Sequence, residues 1–159
     1  MNNNITQTEI ISIISLLNEE FYKLYYTHTI DILNKANIHI DDYSKLNMHD
    51  PYLYYLNGHC PSYSRILCEI FKDKANIVVY YNEGHVVTKI DNHFYDVRGQ
   101  VDDLIDETFL PINKPEDSLY VDLSFGIKDS LEKPIENDLI SIGKTELNRM
   151  QELKNNRKK

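Results

Sequence analysis

Three β-rich runs that follow one another with only short gaps place the strongest constraint on the fold of this chain. They read NIVVYY, HVVTKI and HFYDV, and the gaps between them are NEG and DN. Runs of β-branched and aromatic residues separated by such tight turns are typical of successive antiparallel strands. The sequence therefore predicts a small antiparallel sheet in the middle of the chain.

Apolar residues recur at helical spacing on both sides of this predicted sheet. The N-terminal region, residues 6–40, predicts one helix or two, with Thr6 or Thr8 as the N-cap. The run PSYSRILCEIFKD predicts another helix, because its proline fits the first turn, where no backbone N–H is needed. Residues 143–159 predict a final amphipathic helix with a basic tail. The apolar positions of the first region are Ile10, Ile13, Ile14, Leu17, Phe21, Leu24 and Tyr25.

The other segments carry weaker patterns. Residues 41–56 have no clear period and contain Pro51, which predicts a loop. Residues 102–117 predict a short helix or loop, and LYVDLSF, residues 119–125, predicts a further strand. Together the patterns predict one α+β domain over residues 1–159. Its parts are a helical region at 6–40, a core at 57–125 and the C-terminal helix and tail at 143–159.

Charge and hydropathy exclude several classes of function. The formal net charge is −8, whereas nucleic-acid binding depends on lysine and arginine side chains that neutralise phosphates. We therefore expect no nucleic-acid partner. No apolar run approaches the roughly 20 residues that cross a bilayer, and the N-terminus lacks a basic region and a small-residue cleavage site. We expect no membrane segment, no signal peptide and a cytoplasmic location.

Two cysteines, Cys60 and Cys68, fall at the start and in the middle of the predicted second helix. Eight residues of helix span roughly 12 Å, too far for a disulfide. A thiol at a helix N-terminus faces unpaired N–H groups and the positive end of the helix dipole, which favour the nucleophilic thiolate. Cys60 is therefore the candidate nucleophile, and Cys68 is interpreted as a structural residue that packs against the sheet.

A base and its partner for Cys60 are expected on the predicted strands. His85 opens the run HVVTKI and Asp96 closes the run HFYD. A hairpin that turns at Asp91 and Asn92 makes His85 and Asp96 cross-strand neighbours. The imidazole then takes the thiol proton, and the carboxylate fixes its tautomer.

The amide of Asn57, together with the backbone N–H of Cys60, is predicted to stabilise a developing oxyanion. Tyr54 and Tyr55 precede Asn57 and are predicted to wall a substrate cleft, with His59 and Gly84 as further substrate-binding residues. His59 and His93 are metal-ligand candidates beside Cys60 and His85. No C-x-x-C or H-x-x-x-H spacing supports such a site, so we expect neither a metal nor a cofactor.

The segments GHCPSYSRIL and GHVVTKIDNHFYDVRG resemble the papain-like superfamily, and in particular its transglutaminase-like branch. There the cysteine begins a helix, the histidine begins a strand and the aspartate ends the next strand, often in an Asp-x-x-Gly turn. The residues DVRG, 96–99, match that ending, and the resemblance covers residues 57–99. It implies a papain-like or transglutaminase-like fold, with N-terminal helices and a cysteine-bearing helix packed on a small antiparallel sheet.

These observations predict thiol-dependent acyl chemistry on an amide or ester bond, of the peptidase, deamidase, amidase or transglutaminase type. The expected substrate is a protein or peptide, and the intermediate is a thioester on Cys60. One alternative is a non-catalytic protein-binding effector or inhibitor on the same fold, encoded by a phage or bacterium. A second is an acyltransferase that uses a thioester donor and resembles the arylamine N-acetyltransferases. The sequence does not indicate an oligomeric state.

Overall fold

The computed structural model describes residues 4–38, 50–112 and 131–159. In chain order the described elements are α1 Gln7–Lys35, α2 Pro51–Leu56, α3 Cys60–Phe71, β1 Ile77–Asn82, β2 His85–Ile90, β3 His93–Asp96, β4 Gly99–Gln100, a 3₁₀ turn Asp102–Leu104, β5 Leu110–Pro111 and α4 Glu132–Arg157. The 3₁₀ turn agrees with the short helix or loop expected there. The strand predicted at 119–125 lies outside the described residues.

The N-terminal region is one helix, α1, which begins where its capping residues place it. The Thr6 hydroxyl accepts a hydrogen bond from the Glu9 backbone N–H (3.2 Å), and the Glu9 carboxylate accepts one from the Thr6 N–H (2.8 Å). This reciprocal capping box satisfies two of the unpaired donors at the helix start. Thr6, rather than Thr8, is therefore the N-cap.

The prediction of a loop over residues 41–56 is wrong for its last part, which forms α2. Pro51 is the first residue of that helix, where its missing N–H costs nothing. The Asp50 carboxylate caps it by accepting hydrogen bonds from the N–H groups of Tyr52 and Leu53. Asp50 and Pro51 together start this helix, although Pro51 alone predicted a loop. Residues 41–49 of that predicted loop lie outside the described residues.

The predicted antiparallel sheet is confirmed. Its strand order is β4-β3-β2-β1-β5, and each neighbouring pair is antiparallel. The turn between β2 and β3 falls at Asp91 and Asn92, where Asp91 has the positive φ of 53° that tight turns require. The two-residue strands β4 and β5, which the sequence analysis missed, extend the sheet at its edges.

The C-terminal helix α4 begins at Glu132, well before the predicted start at residue 143. Pro134 lies in its first turn, which tolerates proline. Gly143 lies inside the helix and does not start it. A Cβ atom added at Gly143 would meet the Ile70 side chain of α3, so the glycine allows α3 and α4 to approach closely.

The core lies between the helices and the sheet, so the chain is an α+β protein. Helix α4 packs on both α1 and α3, and α3 also packs on β2. The fully buried residues include Leu17 and Phe21 of α1, Leu67 and Phe71 of α3, and Leu139 of α4. Burial of these side chains supplies the main stabilisation. Among the described residues, no helix has the length and apolar character needed to span a membrane.

Candidate active site

The start of helix α3 places Cys60 against the sheet. Cys60 is the first residue of the helix and Pro61 the second, and the backbone N–H groups of Ser62 and Tyr63 already donate to the His59 carbonyl (3.1 and 3.3 Å). Cys60 is buried and packs against Val86 of β2. The thiol therefore lies at the positive end of α3 and is largely shielded from solvent.

The β2–β3 hairpin brings His85 and Asp96 together. Its register pairs Thr88 with Tyr95 and Ile90 with His93, which leaves His85 and Asp96 at the open end of the hairpin. His85 Nε2 lies 2.9 Å from Asp96 Oδ2. The His85 side chain is 20% exposed and that of Asp96 only 4%. The contact is therefore largely removed from solvent.

His85 also contacts the thiol. Hydrogen bonds to the side chains of Asp96 and Cys60 raise the pKa of His85 to about 9, against the opposing effect of burial. Because Nε2 faces Asp96, the ring nitrogen left for Cys60 is Nδ1. The structure thus brings Cys60, His85 and Asp96 together in one chain of contacts, and the three line one small pocket with Tyr55 and Tyr63.

The Asp96 carboxylate has a second charged partner in Arg98. The Arg98 backbone N–H donates to Oδ1 (2.8 Å), and its guanidinium donates to both oxygens, with Nη2 2.5 Å from Oδ2. Burial disfavours the ionised carboxylate, but the hydrogen bonds from His85 and Arg98 outweigh it and lower the pKa of Asp96. Asp96 is therefore held as an anion. Arg98 occupies an unspecified position of the Asp-x-x-Gly motif, so the sequence assigned it no role.

Two consecutive hydrogen bonds attach the turn after Asp96 to helices α1 and α3. The Tyr63 hydroxyl of α3 donates to Asn18 Oδ1 (3.1 Å), and the Asn18 amide of α1 donates to the Val97 carbonyl (2.7 Å). Asn18 thus connects the nucleophile's helix to the residue after Asp96. Sequence reasoning missed it, because a contact over 79 residues leaves no local pattern.

A buried polar cluster fixes the other side of the α3 start. The Ser62 hydroxyl donates to Glu136 Oε2 (2.9 Å), and Arg65 Nε donates to Glu136 Oε1 (3.0 Å). Glu132 lies 3.5 Å from both Arg65 Nη2 and His59 Nδ1. These contacts join the first turns of α3 and α4, so α4 sets the position of the helix end that carries Cys60.

The other predicted site residues lie around this cluster in different ways. The Asn57 amide donates to the Leu53 carbonyl of α2 (2.7 Å) and so is engaged in a local hydrogen bond. Tyr54 and Tyr55 are 4% and 1% exposed, and the Tyr54 ring stacks on His59 at 4.0 Å. Both rings are buried, and Tyr55 lines the pocket with Cys60 and His85. Gly84 lies in the β1–β2 turn, next to His85, with φ +99° and open space around it.

The second cysteine has a different environment. Cys60 and Cys68 are both free thiols. Burial, with a smaller effect from the Glu69 charge, raises the pKa of Cys68 to about 11, which suppresses its thiolate. Within the described parts of the chain, no group of three or more His, Cys, Asp or Glu side chains is arranged to hold a metal ion.

The fold and site define an α+β protein in which a helix-start cysteine meets a His–Asp pair on a hairpin. Residues 37–137, more than half of the chain, match the family model described as Phage YunG-like protein, and the chain belongs to this family. The matched residues include Cys60, His85, Asp96 and Glu132. Searches of curated proteins and of solved structures gave no match.

Proposed function

We propose that the protein carries out thiol-dependent acyl chemistry on an amide or ester bond, with Cys60 as the nucleophile. The observation that supports this most is that Cys60, His85 and Asp96 line one small pocket, in which His85 Nε2 lies 2.9 Å from Asp96 Oδ2. A nucleophile, a base in hydrogen-bond contact with it and a third group that orients the base are the requirements for such catalysis. The resemblance to papain-like and transglutaminase-like enzymes supports the same reaction class.

In the first step the Cys60 sulfur, whose proton has already passed to Nδ1 of His85, attacks the substrate carbonyl carbon. The carbonyl oxygen becomes an oxyanion beside the Cys60 backbone N–H and the positive end of α3. Collapse of this intermediate breaks the bond to the leaving group, which receives the His85 proton. Cys60 is then a thioester, and the charge on Asp96 stabilises the imidazolium while it exists.

In the second step water or an amine attacks the thioester carbonyl. His85 takes a proton from this nucleophile, and the Cys60 thiol is regenerated when the carbon–sulfur bond breaks and the proton returns to sulfur. Water gives hydrolysis, as in a peptidase, amidase or deamidase. An amine gives acyl transfer, as in a transglutaminase. The three side chains serve both outcomes, and we propose a protein or peptide as the acyl donor.

The test is acylation by p-nitrophenyl acetate, an activated ester that needs no knowledge of the natural substrate. Intact-mass measurement of the wild-type protein should show one added acetyl group, and peptide mapping should locate it on Cys60. A burst of nitrophenolate equal to the protein concentration should precede slower turnover. Addition of a primary amine that speeds release of the acetyl group would indicate acyl transfer.

Matched variants make this test decisive. Cys60→Ala should show no acetyl group on the mapped peptide and no burst, whereas Cys68→Ala should behave as wild type. Acylation of lysines at the same rate in Cys60→Ala and Cys68→Ala, with no thioester on the Cys60 that Cys68→Ala retains, would refute the proposed nucleophile.

A protein-binding role is the second candidate, and an exposed aromatic surface favours it. Tyr22 and Tyr26 of α1 and Tyr52 and Leu53 of α2 are between 43% and 54% exposed, and such side chains are enriched in interfaces. Under this alternative the protein would act as an effector or inhibitor without chemistry. A cellular effect that persists undiminished in Cys60→Ala would support binding over catalysis.

A further inference from the structure

The guanidinium of Arg98 closes the solvent side of the His85–Asp96 pair. The Arg98 side chain is 38% exposed, while the carboxylate beneath it belongs to a side chain that is only 4% exposed. Its Nη2 atom lies 2.5 Å from Asp96 Oδ2, the oxygen that also faces His85, and 3.4 Å from His85 Nε2. Two cationic donors therefore share one carboxylate oxygen.

We propose that Arg98 is a positioning residue of this site, which fixes the Asp96 carboxylate and weakens the hold of Asp96 on the His85 proton. The catalytic part of this inference rests on the proposed function. The electrostatic part, that Arg98 controls how readily His85 binds a proton, does not depend on any reaction.

The charges around His85 explain the direction of this effect. The charged and titratable side chains that the described structure places against His85 are Cys60 from α3, Asp96 from β3 and Arg98 from the turn after β3. When the thiol is ionised and the ring protonated, the charges of Cys60, His85 and Asp96 sum to −1, and Arg98 brings the sum to zero. Arg98 partly neutralises the Asp96 carboxylate. Without Arg98, that negative charge would favour the imidazolium form of His85 more strongly.

The position of Arg98 suits this role better than that of a surface ion pair. Exposed pairs contribute little, because water screens both charges. Here the carboxylate is buried, and the guanidinium reaches both of its oxygens in a forked arrangement that lysine cannot form. An imidazolium that Asp96 holds less tightly gives its proton more readily to a leaving group. Arg98 thus favours the step that breaks an amide bond.

The experiment is an NMR titration of the His85 ring in ¹³C-histidine-labelled protein, carried out in the Cys60→Ala background so that no neighbouring thiol titrates. The His85 signal is assigned by its loss in His85→Gln. Removal of the Arg98 charge in Arg98→Gln should move the His85 midpoint upward by about half a pH unit or more. Arg98→Lys keeps the charge and should restore most of the wild-type midpoint.

Two further variants control this result. Arg98→Met also removes the charge but keeps an apolar stem, and it should move the midpoint in the same direction if Arg98→Gln does not fold. Arg149→Gln removes another arginine–carboxylate pair, that of Arg149 with Glu146 on α4, and should leave His85 unchanged. A midpoint that stays in place or falls in the neutral Arg98 variants overturns the inference, as does a lysine variant that behaves like the glutamine variant.

The outcome is separate from that of the acylation test. An upward shift in Arg98→Gln, with no acylation of the wild-type Cys60, would leave Arg98 as a positioning residue and refute the proposed function. Acylation of Cys60 with no shift in Arg98→Gln would do the reverse.

Discussion

Two histidine–aspartate pairs with nearly the same contact distance lie in very different surroundings. His85 and Asp96 lie 2.9 Å apart, and His93 and Asp102 lie 2.7 Å apart. The side chains of the first pair are 20% and 4% exposed, whereas those of the second are 40% and 32% exposed. Contact distance alone therefore does not distinguish a candidate catalytic pair from a structural one.

The difference lies in what each aspartate and histidine touches next. Asp102 accepts a hydrogen bond from the Phe94 backbone N–H (2.7 Å) and contacts Gln100, so it connects the end of the sheet to the 3₁₀ turn. His85 instead contacts the Cys60 side chain at a helix start. A nearby thiol and exclusion of water are what make the first pair a candidate for catalysis. The second pair, whose histidine lies on the same hairpin, serves as an internal control.

The largest difference is expected between two single variants that carry the same substitution, one in each pair. Asp96→Asn should lower the rate of Cys60 acylation by about 10²- to 10⁴-fold, because the amide no longer holds the ring in the tautomer that faces the thiol or stabilises the imidazolium. Asp102→Asn should leave the rate within about twofold, since Asp102 is partly exposed and pairs with His93 instead of His85. The measurement is the burst rate with p-nitrophenyl acetate.

The outcome separates catalysis from turn formation. If Asp96 only supports the DVRG turn, asparagine can replace it, because its side chain also hydrogen-bonds turn backbone. Equal rates in Asp96→Asn and wild type would then leave, at most, a Cys60–His85 dyad. Comparable losses in Asp96→Asn and Asp102→Asn would show that the two pairs do not differ as the structure indicates.

A smaller effect is expected in a comparison of the two thiols. Iodoacetamide at about pH 6 to 7 should modify Cys60 at least about tenfold faster than Cys68. Burial raises the pKa of Cys68 to about 11, while Cys60 contacts a base at a helix N-terminus. The rates are measured by peptide mapping over time, and the preference should shrink in His85→Gln. Faster labelling of Cys68 in the folded protein would remove the reason to treat Cys60 as the nucleophile.

Much of this arrangement could be predicted from local patterns in the sequence. The run from Pro61 gave α3 with Cys60 at its start, and the β-rich runs gave the hairpin that joins His85 to Asp96, because helices and hairpins are encoded by residues close in sequence. The same local reading failed at Pro51, which begins α2, and at residue 143, which lies within α4. Pro51 is interpreted as an interruption, whereas the first part of α4, residues 132–142, is assigned no helix.

The parts that could not be predicted depend on contacts between distant segments. Asn18 reaches Val97, and Glu136 reaches Ser62 and Arg65, over more than 70 residues. Arg98 is only two residues from Asp96, yet its proposed positioning role depends on its distance from His85 on the other strand of the hairpin. Periodicity and motifs carry no information about such pairings. Tyr54 and Tyr55, which are predicted to wall a cleft, pack against Phe21 of α1, and Tyr55 also lines the small pocket with Cys60. Their contact with α1 could not be predicted from their position in the sequence.

The smallest expected effect concerns stability and pH. The pKa of His85 is about 9 in the folded protein and has an ordinary value of 6.5, so folding favours its protonated form. The resulting stabilisation is fully present below about pH 6.5 and is lost as the pH rises through about 9. We expect it to reach about 1–2 kcal/mol, less than the full shift would give, because His85 is partly exposed to solvent.

The test is the difference in free energy of unfolding between wild type and His85→Gln, measured in urea at pH 6, 7.5 and 9.5. The difference should favour wild type most at pH 6 and decrease at each higher pH, because only wild type loses an imidazolium. Leu67→Ala is the matched control. It removes a fully buried apolar side chain and should cost about 2–5 kcal/mol at every pH. A wild-type advantage that grows with pH would mean that His85 is held neutral in the fold, contrary to a pair in which Asp96 stabilises its charge.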